Sequence, residues 1–113
     1  MFGIFNRTEK KYKDISSSDF QKIVESRKDV KIVDVRSEME YRGGKIKGAQ
    51  LINMMAGDFK DRLLRLPKDQ AILLYCRSGN RSAMAAGILG EAGYSEVYNL
   101  QGGLLSWSGP VEA

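Results

Sequence analysis

The sequence predicts one α/β domain with a central, mostly parallel sheet of five strands flanked by helices on both faces. Residues 31–35 form a short β-branched run and residues 71–75 a continuous apolar run, and both have the length of buried strands. Stretches with helical spacing lie between such runs, and strands that alternate with helices are typical of α/β proteins. The chain has 113 residues, of which 42% are apolar and 28% are charged. These values are those of a single globular domain.

The predicted elements follow one another along the chain without an internal repeat. Residues 1–11 mix polar and charged side chains without a clear period. We expect them to form a loosely ordered arm that precedes a domain spanning residues 12–110. The segments expected to form strands are 12–15, 31–35, 49–53, 71–75 and 96–99. The segments with helical character are 18–27, 38–42, 56–66, 82–92 and 103–107.

Local signals set the predicted ends of several helices. Ser18 followed by Gln21 makes a capping-box pattern at the start of the first helix, within a short serine run. Pro67 is expected to end the helical segment 56–66, because proline cannot continue a helix. Gly93 is well placed to cap the carboxyl end of the segment 82–92.

The distribution of charge argues against nucleic-acid and membrane partners. The formal charge is +4, and only residues 10–13 approach a basic cluster, whereas nucleic-acid surfaces gather basic residues on one face. No apolar run approaches the roughly 20 residues of a membrane-spanning helix, and the first five residues are too short for a signal-peptide core. We therefore expect a cytoplasmic protein, monomeric by default, whose mildly basic surface attracts small anions.

The chain contains one cysteine, Cys76, and no histidine. This inventory excludes intrachain disulfides, Cys-x-x-Cys redox chemistry, zinc clusters, Ser-His-Asp triads and Cys-His nucleophile pairs. No metal site is predicted. If Cys76 is a nucleophile, backbone amides and arginines must activate it.

Cys76 opens a polar segment, here called the cysteine loop, which directly follows the predicted strand 71–75. The loop consists of Cys76, Arg77, Ser78, Gly79, Asn80 and Arg81. Ligands of open α/β sheets bind beyond the carboxyl ends of the strands. The turn can direct backbone N–H groups inward, and the following helix adds the positive end of its dipole, so the loop is a candidate anion cradle that lowers the pKa of the thiol. The alternative is that Cys76 is a small buried hydrophobe, but the arginines, the glycine and the polar turn residues favour a site.

Four segments carry a pattern that is specific in combination: residues 32–36, 44–49, 74–82 and 93–103, the last leading to Trp107. In this order they closely resemble the single-domain rhodanese sulfurtransferases over nearly the whole chain. The resemblance implies a parallel sheet flanked by helices. It also implies a cysteine loop that takes a sulfane sulfur from a donor and passes it to a nucleophilic acceptor.

The resemblance also implies roles for the loop residues. Cys76 would carry the sulfur as a persulfide, held by the loop amides, including that of Gly79. Arg81 would close the loop electrostatically, and Arg77 would face the incoming anionic donor. Additional hydrogen bonds would come from the loop side chains Ser78 and Asn80.

The implied reaction has two steps and needs no metal or organic cofactor. The Cys76 thiolate takes sulfur from thiosulfate or another persulfide donor, and an acceptor then removes it. Cyanide, a small thiol or a protein cysteine would serve as the acceptor. Because sulfur moves between anionic nucleophiles, the main requirement is a fixed positive potential around it.

Two other functions stand beside this hypothesis. Phosphatases and arsenate reductases of the same fold resemble a Cys-x5-Arg pattern, whereas Cys76 and Arg81 make a shorter Cys-x4-Arg loop, which suits a sulfur atom better than a tetrahedral oxyanion. A phosphatase would also need a general acid, and none is evident near the loop in the sequence. The other alternative is a binding module of the rhodanese fold in which Cys76 is idle.

Four residues outside the loop also belong to the resembling segments. Asp34 and Arg36 are a candidate wall of the site, although a structural ion pair is the preferred interpretation. Lys45 stands where the family usually has a histidine, a change expected to affect local packing more than chemistry. Trp107 is interpreted as an aromatic side chain of the core or rim rather than as a substrate contact.

Overall fold

The structure, a computed structural model, describes residues 10–113. The first nine residues of the predicted arm lie outside the described residues. The strands are β1 (Lys13–Ile15), β2 (Val30–Asp34), β3 (Lys45–Ile46), β4 (Gln50–Leu51), β5 (Ala71–Tyr75), β6 (Val97–Leu100) and β7 (Val111–Glu112). The helices are α1 (Ser17–Ser26), α2 (Glu38–Arg42), α3 (Phe59–Leu63), α4 (Asn80–Glu91) and a 3₁₀ helix (Gly103–Ser106).

A five-stranded parallel sheet forms the centre of the fold, as predicted. Its order is β1-β6-β5-β2-β4, and each neighbouring pair runs parallel. β5 is therefore the central strand, with β2 and β6 on either side. This position explains why residues 71–75 read as one continuous apolar run, since a central parallel strand is covered on both faces.

Helices cover both faces of this sheet and divide the core into two clusters. Leu74 of β5 belongs to the cluster that includes Leu89 of α4. Its neighbour Leu73 points the other way and belongs to the cluster that includes Phe20 of α1. The alternation follows from the two-residue period of a strand, and it confirms the expected three-layer arrangement.

Several predicted boundaries differ from the structure. The predicted strand 49–53 is regular only at Gln50–Leu51, because Ile52 N–H then donates to the Asp34 carbonyl outside the regular ladder. The predicted helix 56–66 shrinks to Phe59–Leu63 and ends before Pro67. α4 begins at Asn80, two residues earlier than expected, and a positive φ of 94° at Gly93 follows its carboxyl end.

The capping box predicted at Ser18 and Gln21 is wrong. The N-cap of α1 is Ser16, whose side chain accepts a hydrogen bond from the Asp19 N–H, so Ser18 already lies inside the helix. The serine run offered several candidate caps, and the choice depends on where the extended backbone ends. A complete capping box lies at the start of α2 instead, where Ser37 accepts from the Glu40 N–H and the Glu40 carboxylate accepts from the Ser37 N–H.

A small antiparallel pair, β3 with β7, was not predicted. Lys45 pairs with Glu112 and Ile46 with Val111. Strands of two residues leave no periodic trace in a sequence, and β7 lies beyond residue 110, the predicted end of the domain. Lys45 donates to the Ala113 carbonyl, and its ammonium nitrogen lies 4.8 Å from the Tyr41 ring centroid.

Trp107 is a rim aromatic, as predicted. Its ring packs edge-on against Phe20 with 5.3 Å between ring centroids, and its indole N–H donates to the Pro110 carbonyl. Among residues 10–113, no helix has the length and apolar content that crossing a membrane requires.

Candidate active site

Cys76 lies at the carboxyl end of the central strand, where the fold places ligand sites. Tyr75 ends β5 and Asn80 opens α4, so only four residues separate strand and helix. Gly79 makes this sharp connection with a φ of 99°, a backbone conformation that residues other than glycine rarely adopt.

Three donors converge on the sulfur of Cys76. The Gly79 N–H lies 3.1 Å from Sγ, the Ser82 N–H 3.4 Å and the Ser82 hydroxyl oxygen 3.3 Å. Cys76 itself is fully buried. A buried sulfur that receives this many hydrogen bonds has the environment of a thiolate rather than that of a hydrophobic core cysteine.

The balance of these effects favours the thiolate. Burial raises the pKa of the Cys76 thiol and is the largest effect. The Ser82 hydroxyl and the backbone N–H groups of Ser82, Gly79 and Ser78 oppose it, and together they hold the pKa below its ordinary value. The Ser82 hydroxyl and these backbone N–H groups therefore stabilise the thiolate, as the histidinium cation does in Cys-His pairs.

The end of β6 holds the loop from one side. The Asn99 amide nitrogen donates to the Gly79 carbonyl at 3.2 Å and to Asp14 Oδ1 at 2.9 Å. Asn99 is buried, so its amide cannot turn to water. The bond to the Gly79 carbonyl fixes one side of the residue whose own N–H points at Sγ.

The 3₁₀ helix holds the loop from the other side. The Leu104 N–H donates to the Cys76 carbonyl and the Leu105 N–H to the Arg77 carbonyl. Gly103 makes this approach possible, because a Cβ there would lie 2.4 Å from the Arg77 carbonyl oxygen and 2.5 Å from that of Cys76. The glycine pair at residues 102–103 is thus part of the site's support.

Arg81 bonds to a carboxylate rather than to the sulfur. Its guanidinium donates to both oxygens of Glu40, at 2.9 and 3.1 Å. These hydrogen bonds hold the pKa of Glu40 at about 2. Arg81 thereby ties the first turn of α4 to α2, and the electrostatic role implied for it by resemblance stays a prediction.

Of the remaining loop residues, Arg77, Ser78 and Asn80 are exposed. Within residues 10–113, the Ser78 and Asn80 side chains make no hydrogen bond, and the bonds implied for them to a persulfide stay a prediction. The backbone N–H of Ser78 helps to lower the pKa of Cys76. Arg77 has no carboxylate partner in the part of the chain that the structure describes.

Asp34 and Arg36 form the structural ion pair that was preferred for them. Arg36 Nη2 lies 2.6 Å from Asp34 Oδ2, and both side chains are buried. Arg36 also donates to the Gly44 carbonyl. The pair therefore fixes the carboxyl end of β2 next to the cysteine loop.

A cavity of about 440 Å³ adjoins the loop, and Arg36, Glu40 and Arg77 contribute its charged lining. A second cavity of about 510 Å³ lies on the α1 side, against Val24 and Trp107, and shares no lining residue with the loop. We assign the site to the smaller cavity, because Arg77 of the cysteine loop and Leu104 and Leu105, which hold that loop, line it.

Three residues of this arrangement were not predicted as site residues: Ser82, Glu40 and Asn99. Ser82 could have been found, since a hydroxyl in the first turn of a helix points towards the preceding loop. Glu40 lies three residues after Ser37, and the two form the capping box that starts α2. That local signal contains nothing about Arg81.

Comparison with known proteins identifies the family. Residues 16–110 match the family model described as a rhodanese-like domain. A sulfurtransferase of Allochromatium vinosum is 35% identical over 95 residues, which are 84% of this chain and 87% of that protein. The probable adenylyltransferase/sulfurtransferase MoeZ of Mycobacterium tuberculosis is 34% identical over 94 residues, 83% of this chain. The match spans only 24% of MoeZ.

A solved structure gives the same result for the fold. The crystal structure of a rhodanese-like domain protein from Staphylococcus aureus superposes with a TM-score of 0.73 and is 32% identical. The match covers 85% of this chain and 91% of that one.

Proposed function

Since the chain belongs to the family of rhodanese-like domains, we propose that it is a sulfurtransferase that carries sulfane sulfur as a Cys76 persulfide. The donor is thiosulfate or another persulfide, and the acceptor is a thiophilic nucleophile. The observation that carries this proposal is the convergence of the Gly79 and Ser82 donors on a buried sulfur. Relatives named as sulfurtransferases support the reaction class.

In the first step, the Cys76 thiolate attacks the outer sulfur of thiosulfate. A bond forms between Sγ and that sulfur, the sulfur–sulfur bond of thiosulfate breaks, and its electron pair leaves with sulfite. The negative charge moves onto the outer sulfur of the new persulfide. The loop amides and the positive end of the α4 dipole stabilise both anions.

In the second step, the acceptor attacks the outer sulfur and releases the Cys76 thiolate. With cyanide, a carbon–sulfur bond forms, the bond to Sγ breaks, and thiocyanate leaves. Neither step with these anions moves a proton. A site without histidine is therefore sufficient for the chemistry, provided that its dipoles are already oriented.

Intact-mass measurement tests this proposal. The purified protein is incubated with thiosulfate and separated from it. Its molecular mass is measured by mass spectrometry before and after cyanide is added. We expect a gain of about 32 Da, one sulfur atom bound covalently to the nucleophile, and its loss with cyanide. Because Cys76 is the single cysteine of the chain, a Cys76→Ser variant should show no gain.

The alternatives give different results. A folded protein that gains no mass with thiosulfate or with a small persulfide donor would contradict the proposal and favour a binding module. Turnover of a phosphate ester or of arsenate would favour the oxyanion enzymes instead. An adduct that persists in the Cys76→Ser variant would place the chemistry elsewhere.

A further inference from the structure

Large apolar side chains ring the mouth of the cavity beside the cysteine loop. Met39 of α2, Leu105 of the 3₁₀ helix and Val111 of β7 all line it. They are 84%, 69% and 54% exposed, and here they are called the apolar rim. α2 and the last two elements of the described chain, which are far apart in sequence, thus present uncovered apolar surface at one place, which is typical of a binding surface.

The charge inside this ring is not balanced. The guanidinium of Arg36 is paired with Asp34, and that of Arg81 with Glu40. Arg77 lines the same cavity and has no carboxylate partner among residues 10–113. A ligand that complements this surface therefore combines a negative charge with apolar groups.

Small inorganic donors and acceptors use little of this surface. A cavity of about 440 Å³ falls within the roughly 300–1,000 Å³ of pockets that hold drug-sized ligands. Thiosulfate and cyanide are far smaller, and they contain no apolar group. Nor would a small organic thiol inside the cavity cover the rim, whose side chains point largely to solvent. Only a ligand that extends beyond the cavity can bury them.

We propose that the apolar rim receives a cysteine-bearing segment of a partner protein, with apolar side chains beside the cysteine and a carboxylate near Arg77. This inference rests on the proposed function, whose second step it specifies. The partner's thiolate attacks the outer persulfide sulfur, the bond to Cys76 Sγ breaks, and the partner leaves with the persulfide. Methionine suits such a rim, because its flexible thioether adapts to the side chains it covers.

Peptide acceptors test the inference. The protein is loaded with sulfur from thiosulfate, and its discharge is timed with cyanide and with two heptapeptides. Both peptides have a central cysteine and one aspartate. One has leucine on each side of the cysteine, and the other has serine there. The test variant is Met39→Ser with Val111→Ser. The matched control is Met84→Ser with Leu64→Ser, an exposed pair that lines a different cavity.

We expect the unmodified protein to react roughly tenfold faster with the leucine peptide, the effect of one buried apolar contact. The rim variant should lose this preference, the control variant should keep it, and all three proteins should react equally with cyanide. A preference that survives in the rim variant, or that is absent from the unmodified protein, would overturn the inference while leaving the proposed function intact. Failure to load sulfur at all would instead overturn the proposed function and the inference with it.

Discussion

Glu40→Gln tests how the cysteine loop is attached to the rest of the protein. Glutamine keeps the shape of glutamate and still serves as the capping-box acceptor for Ser37 at the start of α2, but it removes the charge that faces Arg81. The fall of the Glu40 pKa from 4.5 to about 2 corresponds to roughly 3 kcal/mol, at about 1.4 kcal/mol for each pH unit. Solvent screens this interaction, because the Glu40 and Arg81 side chains are 32% and 34% exposed. We therefore expect a loss of about 1–2 kcal/mol at pH 7.

Glu38→Gln is the matched control, because Glu38 lies in the same first turn of α2. Its carboxylate pairs with Arg42 at 2.6 Å, but the two side chains are 64% and 75% exposed. A pair of this kind contributes only about 0.3–0.5 kcal/mol. Both substitutions remove one negative charge near the same helix end, so the difference between them isolates the bond to Arg81.

The pH dependence gives a second, independent measurement. The pKa of Glu40 is lower in the folded state than its ordinary value of 4.5, so its stabilisation is complete above pH 4.5. It is lost as the pH falls through about 2. Urea denaturation of the Glu40→Gln and Glu38→Gln proteins is followed from pH 7 downwards. The difference between their free energies of unfolding should shrink in that pH window. Equal costs for Glu40→Gln and Glu38→Gln, or a difference that does not change with pH, would refute the reasoning.

Three further predictions concern the cysteine loop and two residues that contact it. Ser82→Ala removes the hydroxyl that donates to Cys76, a hydrogen bond worth about 1.5–3 kcal/mol when the acceptor is charged. The pKa of the Cys76 thiol should therefore rise, and alkylation by iodoacetamide at pH 7 should slow roughly tenfold. An unchanged alkylation rate would contradict this prediction. Gly103→Ala forces a Cβ against two loop carbonyls, so the free energy of unfolding, measured by heat or urea, should fall by at least about 2 kcal/mol. Gly87→Ala is the control, because Gly87 has open space around it and alanine there should stabilise α4 by up to about 1 kcal/mol. Arg77→Ala should raise the KM for thiosulfate about threefold to tenfold in a thiocyanate-formation assay, and an unchanged KM would remove Arg77 from the donor site.

The parts of the molecule that were predicted correctly leave local traces in the sequence. β5 is buried along its whole length, and burial on both faces requires an uninterrupted apolar run that can be read directly. The change from Tyr75 to polar loop residues marks the end of that strand, and hence the place of Cys76. Such signals depend only on neighbours in the chain, which is why the fold class and the position of the thiol were predictable.

The parts that were missed depend on contacts between distant residues. Arg81 bonds Glu40, 41 residues away, and Asn99 bonds Gly79, 20 residues away. The residue type does not indicate the partner in either case, since glutamates on the surface and asparagines in strands are common. Ser82 was missed for the same kind of reason, because its hydroxyl reaches Sγ only once the strand and helix on either side of the loop are in place. The side-chain hydrogen bonds that the resemblance implies for Ser78 and Asn80 involve the persulfide and stay a prediction.

The distant contacts also explain how a buried thiol can have a lowered pKa in a chain without histidine. Dipoles stabilise a thiolate most when the fold already holds them in the right orientation, because they then need not reorient when the charge forms. Here Asn99 fixes the Gly79 carbonyl, and the N–H groups of Leu104 and Leu105 fix those of Cys76 and Arg77. With three of its carbonyls held from outside, the loop cannot turn its amides away from Sγ when the charge is absent. The same rigidity suits a persulfide, whose outer sulfur carries the charge one bond further from the backbone and still needs donors that are already in place.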